Sequence, residues 1–161
     1  MKKIFYFVAC LLFISLIAKS QNELYMKKEF VYKGDTLHYR VLFPDNYDKS
    51  KSYPLVLFLH GAGERGKDNE KQLIHGASLF SDKATRTNYP AIVLFPQCST
   101  NGFWVKLGDK INGKYNFLIT KAPDKSLELV IKLVDFYNKN EAVDSKRLYV
   151  LGISMGGILL I

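Results

Sequence analysis

Three short runs constrain what this chain can fold into more than anything else in it. Leu55-Val56-Leu57-Phe58-Leu59, Ala91-Ile92-Val93-Leu94-Phe95 and Leu148-Tyr149-Val150-Leu151 are apolar without alternation. A strand with one wet face alternates polar and apolar residues, so unbroken runs expect cover on both faces, the habit of parallel sheets. Parallel neighbours cannot be joined by a tight turn and need a crossover of a dozen or more residues, usually helical. The chain has room for two. Residues 68–80 carry Leu73, Ala77 and Phe80 at helical spacing. Leu127, Val130, Ile131 and Val134 form a second stripe, with Glu128, Lys132 and Asp135 predicted to face outward.

Two β-rich segments, Glu29 to Tyr32 and Leu37 to Phe43, precede these runs and flank a turn signal at Lys33-Gly34-Asp35. In the second, Leu37, Tyr39, Val41 and Phe43 share one face, and His38 falls on the mixed face as a surface histidine. The order is a hairpin, then β-α-β-α-β, then a helical start. The fold class is therefore α/β: a doubly wound, mostly parallel sheet with an antiparallel N-terminal hairpin. Residues 97–123 read as an irregular surface insertion. The apolar ending Ile158-Leu159-Leu160-Ile161 begins a helix and stops, which is expected of a C-terminally truncated domain.

The first twenty residues are expected to be a signal peptide. Met1-Lys2-Lys3 is a positive start, residues 4–17 are apolar apart from Ser15, and Ala18-Lys19-Ser20 offers a small-x-small cleavage site. That run is short for a spanning helix, which needs about 20 residues. Cleavage would leave residues 21–161 as one domain in a secreted or periplasmic protein, with no stable membrane span. The chain's 23 basic and 15 acidic residues then become 20 and 15, a net charge of +5. The basic residues are scattered, so no nucleic-acid partner is expected. Cys98 would be the remaining cysteine, which excludes an intrachain disulfide. No metal-binding spacing occurs, and no cofactor is implied.

The strongest chemical signal is Gly152-Ile153-Ser154-Met155-Gly156, a G-x-S-x-G element. Such a pentapeptide between a strand and a helix forms a strained turn that exposes the serine hydroxyl at the sheet's carboxyl edge. The second signal is His60-Gly61-Ala62-Gly63-Glu64-Arg65-Gly66, directly after the first parallel strand. Small residues there let backbone N–H groups converge on one spot and hold a developing oxyanion. A phosphate-binding loop is the rival reading of any Gly-rich βα turn. These glycines are not followed at once by a helix and a later acid, as a dinucleotide site requires.

These motifs, with Lys67-Asp68-Asn69, Phe95-Pro96-Gln97-Cys98, Trp104-Val105 and Val143-Asp144-Ser145-Lys146-Arg147-Leu148-Tyr149, resemble the α/β-hydrolase superfamily. The likeness is to its bacterial carboxylesterase, feruloyl-esterase-like and prolyl-oligopeptidase-like branch, and it covers most of residues 25–161. It implies a serine hydrolase acting on small-molecule or polysaccharide-linked esters through an acyl-enzyme at Ser154. It also implies an oxyanion hole from the Ala62 and Met155 N–H groups, with Gly63 the alternative donor. A peptidase of the same superfamily, or a non-catalytic binding remnant, are the other readings.

One departure stands out. In this fold the triad runs Ser, then Asp or Glu, then His. Only seven residues follow Ser154, none acidic and none histidine, so these 161 residues are expected to be inactive on their own. His60 is expected to brace its loop through backbone hydrogen bonds, and His75 to lie mid-helix. Phe103 and Trp104 are expected either to line the substrate mouth or to cover the insertion. Cys98 reads as a small buried filler, and Glu64 and Arg65 as polar residues shaping the loop.

Overall fold

In a computed structural model, residues 22–105, 107–111, 114–117 and 123–158 are described. The predicted leader, residues 1–20, lies outside them, as do 159–161 and parts of the predicted insertion.

Among the described residues seven strands form: β1 (Met26–Tyr32), β2 (Asp35–Leu42), β3 (Tyr53–Leu59), β4 (Ile92–Gln97), β5 (Leu107–Ile111), β6 (Lys114–Phe117) and β7 (Val143–Gly152). Five build the main sheet in the order β1-β2-β4-β3-β7. β1 and β2 make the predicted hairpin, β2 runs antiparallel to β4, and β3 lies parallel to both β4 and β7. The two continuous apolar runs in β3 and β4 thus occupy adjacent, central positions. Their side chains alternate between two cores, as the pleat dictates. Leu55, Leu57, Leu59, Ile92 and Leu94 join Leu37, Tyr39 and Val41 on one face. Val56, Phe58, Val93 and Phe95 join Leu42 and Tyr25 on the other.

Helices cover both faces, so the sheet is doubly wound. Helix α3 (Lys125–Asn140) closes the first core, capped by Asp124, whose carboxylate accepts from the Ser126 N–H. Its buried stripe is Leu129, Val130, Leu133 and Tyr137, not the predicted Leu127, Val130, Ile131 and Val134; Ile131 is 43% exposed. Both sets have helical spacing. The deciding contact is Tyr137, which packs edge-on against Tyr39 and meets its hydroxyl, and this rotates the helix away from Ile131.

On the second face the predicted helix over 68–80 is broken. A 3-10 turn, Lys71–Leu73, gives way to α1 (Ala77–Ser81) and then α2 (Lys83–Asn88). Gly76 interrupts it with φ 81°, and its backbone presses on the Phe58 ring so closely that a Cβ would lie 2.6 Å away. His75 therefore occupies the turn between these pieces instead of the middle of a helix.

Two further expectations change. β7 lies at the end of the strand order with β3 on one side only, and residues 148–151 are 39–53% exposed. The cover predicted for both faces of that run is not supplied by the described residues. The predicted irregular insertion contains a two-stranded antiparallel ribbon, β5-β6. No helix among the described residues is long and apolar enough to cross a membrane.

Candidate functional site

The parallel register sets the site. Leu59, the last residue of β3, pairs with Gly152, the last of β7, so the segments leaving these strands emerge side by side at the sheet's carboxyl edge. The first carries His60 to Gly66 and the second carries Ser154.

Ser154 has φ 48°, in the left-handed region that costs a non-glycine residue about 1–2 kcal/mol. The surroundings hold it there. Ile153 N–H donates to Leu59 O at 3.1 Å, Gly156 N–H to Ile153 O at 2.8 Å, and Ile158 N–H to Ser154 O at 3.1 Å. The short helix α4 (Met155–Ile158) then carries the chain away. Gly156 passes so near β3 that a Cβ would lie 2.0 Å from Leu59 O, and a Cβ on Gly152 would lie 2.4 Å from Gly156 O. Both glycines of the pentapeptide are thus required by close approach, and Ser154 is exposed at the crest of the turn. This is the strand-to-helix geometry of a nucleophile elbow.

The loop after β3 lies against it. Gly61 is buried, and the position a Cβ would take on it is 3.4 Å from Ser154 Cβ. A 3-10 turn follows, Ala62–Glu64. Ala62 opens that turn and Met155 opens α4, and the first N–H groups of a helical turn have no partner inside it. Met155 follows Ser154 directly, and Ala62 follows Gly61, the residue that packs against Ser154. Ala62 and Gly63 are exposed, and the Met155 side chain is buried.

His60 is 1% exposed and fully engaged. Its Nε2 accepts from Cys98 N–H at 2.9 Å, which leaves Nδ1 to donate to Gly61 O at 2.6 Å. Burial pushes its pKa below the ordinary histidine value, so the ring is held neutral. With both nitrogens committed to the backbone, it braces the loop and has no free lone pair for a general base. Trp104 completes the brace: its indole Nε1–H donates to His60 O at 3.0 Å, and its ring meets the imidazole edge-on. Trp104 is wholly buried, so it does not line an open substrate mouth. Phe103 lies at the surface beneath the Arg65 guanidinium, 4.9 Å from its ring centre. The Cys98 thiol is buried and its pKa is raised by that burial, in keeping with a filler.

The support beneath the loop was not legible in the sequence. Gln97, buried at the end of β4, accepts from Asn69 N–H at 2.7 Å and donates to Glu64 O and to Asp68 Oδ1, both at 3.0 Å. Asn69 donates to Lys28 O, and its own carbonyl accepts from Arg40 Nε at 2.7 Å. Arg40 is itself buried and also donates to Tyr25 O. Burial works against ionising Asp68, but hydrogen bonds from Lys71 N–H, Glu70 N–H and Gln97 outweigh it and hold the carboxyl at about 2. The one available signal was a glutamine ending an otherwise apolar strand.

His75 faces Glu64, Nε2 to Oε1 3.7 Å, with its ring 57% exposed. No cluster of His, Cys, Asp or Glu suited to a metal ion occurs among the described residues.

No family model matches the chain. Among curated proteins it is 30% identical over 135 residues to a probable dipeptidyl-peptidase 5 of Aspergillus clavatus, covering 82% of this chain and 17% of that one. It is 25% identical over 131 residues to dipeptidyl-peptidase 5 of Schizosaccharomyces pombe. The chain thus spans about a sixth of these relatives' length. Among solved structures, a thermostable esterase superposes with a TM-score of 0.72 at 34% identity, covering 84% of this chain and 36% of that one. A ferulic acid esterase from Anaeromyces mucronatus matches with a TM-score of 0.54 at 18% identity, a likeness of fold alone.

Proposed function

Since the chain belongs to the α/β-hydrolase superfamily, we propose that it is a serine hydrolase cutting carboxylic esters through an acyl-enzyme on Ser154. The observation that carries this reading is the strained, exposed Ser154 at the end of β7, with the Gly61–Glu64 loop packed against it. The Ser154 hydroxyl would attack the ester carbonyl and pass its proton to a base. The carbonyl oxygen, now negative, would be held by the Ala62 and Met155 N–H groups, each such donor typically worth about 2.7–4 kcal/mol. The alcohol would leave with a proton, and water would release the acid from the serine.

The base is the part these 161 residues do not supply. His60 is committed to the backbone, and no acid or histidine follows Ser154 in the sequence. Without a base a serine hydroxyl is a weak nucleophile, so we propose that these residues alone do not turn over. In this fold the remaining triad roles are filled by an Asp or Glu and, later in the chain, a His. The likeness to dipeptidyl-peptidases favours a second reading, a peptidase on the same serine. Residues 1–20 point to export, and a mature product beginning at Gln21 would support it.

The test is labelling of the full gene product with a fluorophosphonate probe. Labelling lost on Ser154→Ala supports the nucleophile, and equal labelling of that variant refutes it. Ester and peptide chromogens then separate the two activities.

A further inference from the structure

Glu64 points back toward the nucleophile. The position that a Cβ on Gly61 would take lies 2.9 Å from Glu64 Oε2 and 3.4 Å from Ser154 Cβ. Glu64 Oε2 and Ser154 Cβ thus flank the same point, no farther apart than those two distances laid end to end. The Glu64 side chain is only 13% exposed. Its backbone is fixed at both ends, the N–H donating to Gly61 O at 3.4 Å and the carbonyl accepting from Gln97. Its neighbour of opposite charge in sequence is turned elsewhere: Arg65 donates to Ala62 O and Gly102 O and covers the Phe103 ring. The side chain facing Glu64 is His75, its Nε2 3.7 Å away and its ring more than half exposed, a contact open to exchange with a ligand cation.

We infer that Glu64 is a specificity-determining residue, selecting substrates that carry a fixed positive charge within a few bonds of the scissile carbonyl. This rests on the proposal that Ser154 is the nucleophile. A carbonyl bonded to the Ser154 oxygen has its next two or three atoms in reach of this carboxylate. An ammonium there would gain a charge-assisted contact in a partly desolvated setting, whereas a carboxylate would be repelled. A loop-shaping role alone would leave the choice between charged and neutral substrates untouched.

The experiment compares kcat/KM of the full gene product on two isosteric pairs: β-alanine ethyl ester against ethyl butyrate, and butyrylthiocholine against its neutral carbon isostere. The parent is expected to prefer the cationic member of at least one pair. Glu64→Gln is expected to lower that cationic-to-neutral ratio about tenfold, the order of one carboxylate–cation contact. Glu64→Asp is expected to retain part of the preference, and added salt to erode it in the parent, which guards against a variant that merely disorders the loop. Hydrolysis of neutral esters through Ser154, with ratios that neither Glu64→Gln nor salt changes, would overturn the inference. Absence of hydrolysis of all four esters together with an unlabelled Ser154 would instead refute the nucleophile proposal, and this inference with it.

Discussion

Replacing His60 by Phe tests whether the loop beside Ser154 is braced as described. The substitution keeps a ring against Trp104 and removes both nitrogens. Cys98, wholly buried, loses the acceptor of its N–H, and Gly61 O loses its 2.6 Å donor. An orphaned buried donor costs about 1–3 kcal/mol and a lost neutral hydrogen bond about 1 kcal/mol. The more apolar ring returns up to about 1 kcal/mol. The terms sum to a loss of about 1–4 kcal/mol, centred near 2.

Trp104 is the chain's single tryptophan and is hydrogen-bonded to His60 O, so its fluorescence reports the site during urea unfolding. With an m-value of about 2 kcal/mol per molar, the midpoint should fall by about 1 M. Acidification supplies a second readout. His60 is held below its ordinary value of 6.5, so the unfolded chain takes up the proton more readily than the native one. The parent's stability contribution from this ring is complete above pH 6.5 and declines as the pH falls from there toward the lowered native value. The Phe variant lacks this decline. The gap between parent and variant should therefore narrow on acidification. A midpoint within about 0.2 M of the parent at neutral pH, or a gap that widens in acid, would refute the reasoning.

Gly156→Ala should be among the most damaging single changes, since the new methyl would lie 2.0 Å from Leu59 O. A loss above about 3 kcal/mol, or failure to fold, is expected in a thermal melt, because the clash is with the Leu59 backbone, which the sheet holds in place. Asp68, held at about 2 against an ordinary 3.8, stabilises the native chain above pH 4, and that contribution disappears as the pH falls toward 2. Its side chain is 36% exposed, so after allowance for screening Asp68→Asn should cost about 1 kcal/mol at neutral pH and only a small part of that by pH 2 in urea titrations.

What the sequence determined by itself follows from local physics. The unbroken apolar runs at 55–59 and 91–95 demanded central parallel strands, and β3 and β4 are that pair. Lys33-Gly34-Asp35 demanded a hairpin turn. The two glycines around Ser154 announced a backbone that passes too close for a Cβ. Each signal is written in neighbouring residues, because the backbone conformation or the period of burial is set within a few positions.

What only the tertiary structure decided lies across the chain. Two apolar stripes were available on α3, and Tyr39, 98 residues from Tyr137, selected one. The helix expected at 68–80 yielded to the Phe58 ring pressing on Gly76. Gln97 gained its role from Asn69, Asp68 and Glu64, and His60 from Cys98 and Trp104, partners 28 to 44 residues away. The exposure of β7 depends on what covers it, which no pattern within residues 148–151 specifies. A polar group's partner is fixed by which buried donors and acceptors happen to face it, and burial makes a missed match costly. That condition is imposed by the folded interior as a whole, so no local window of the sequence contains it.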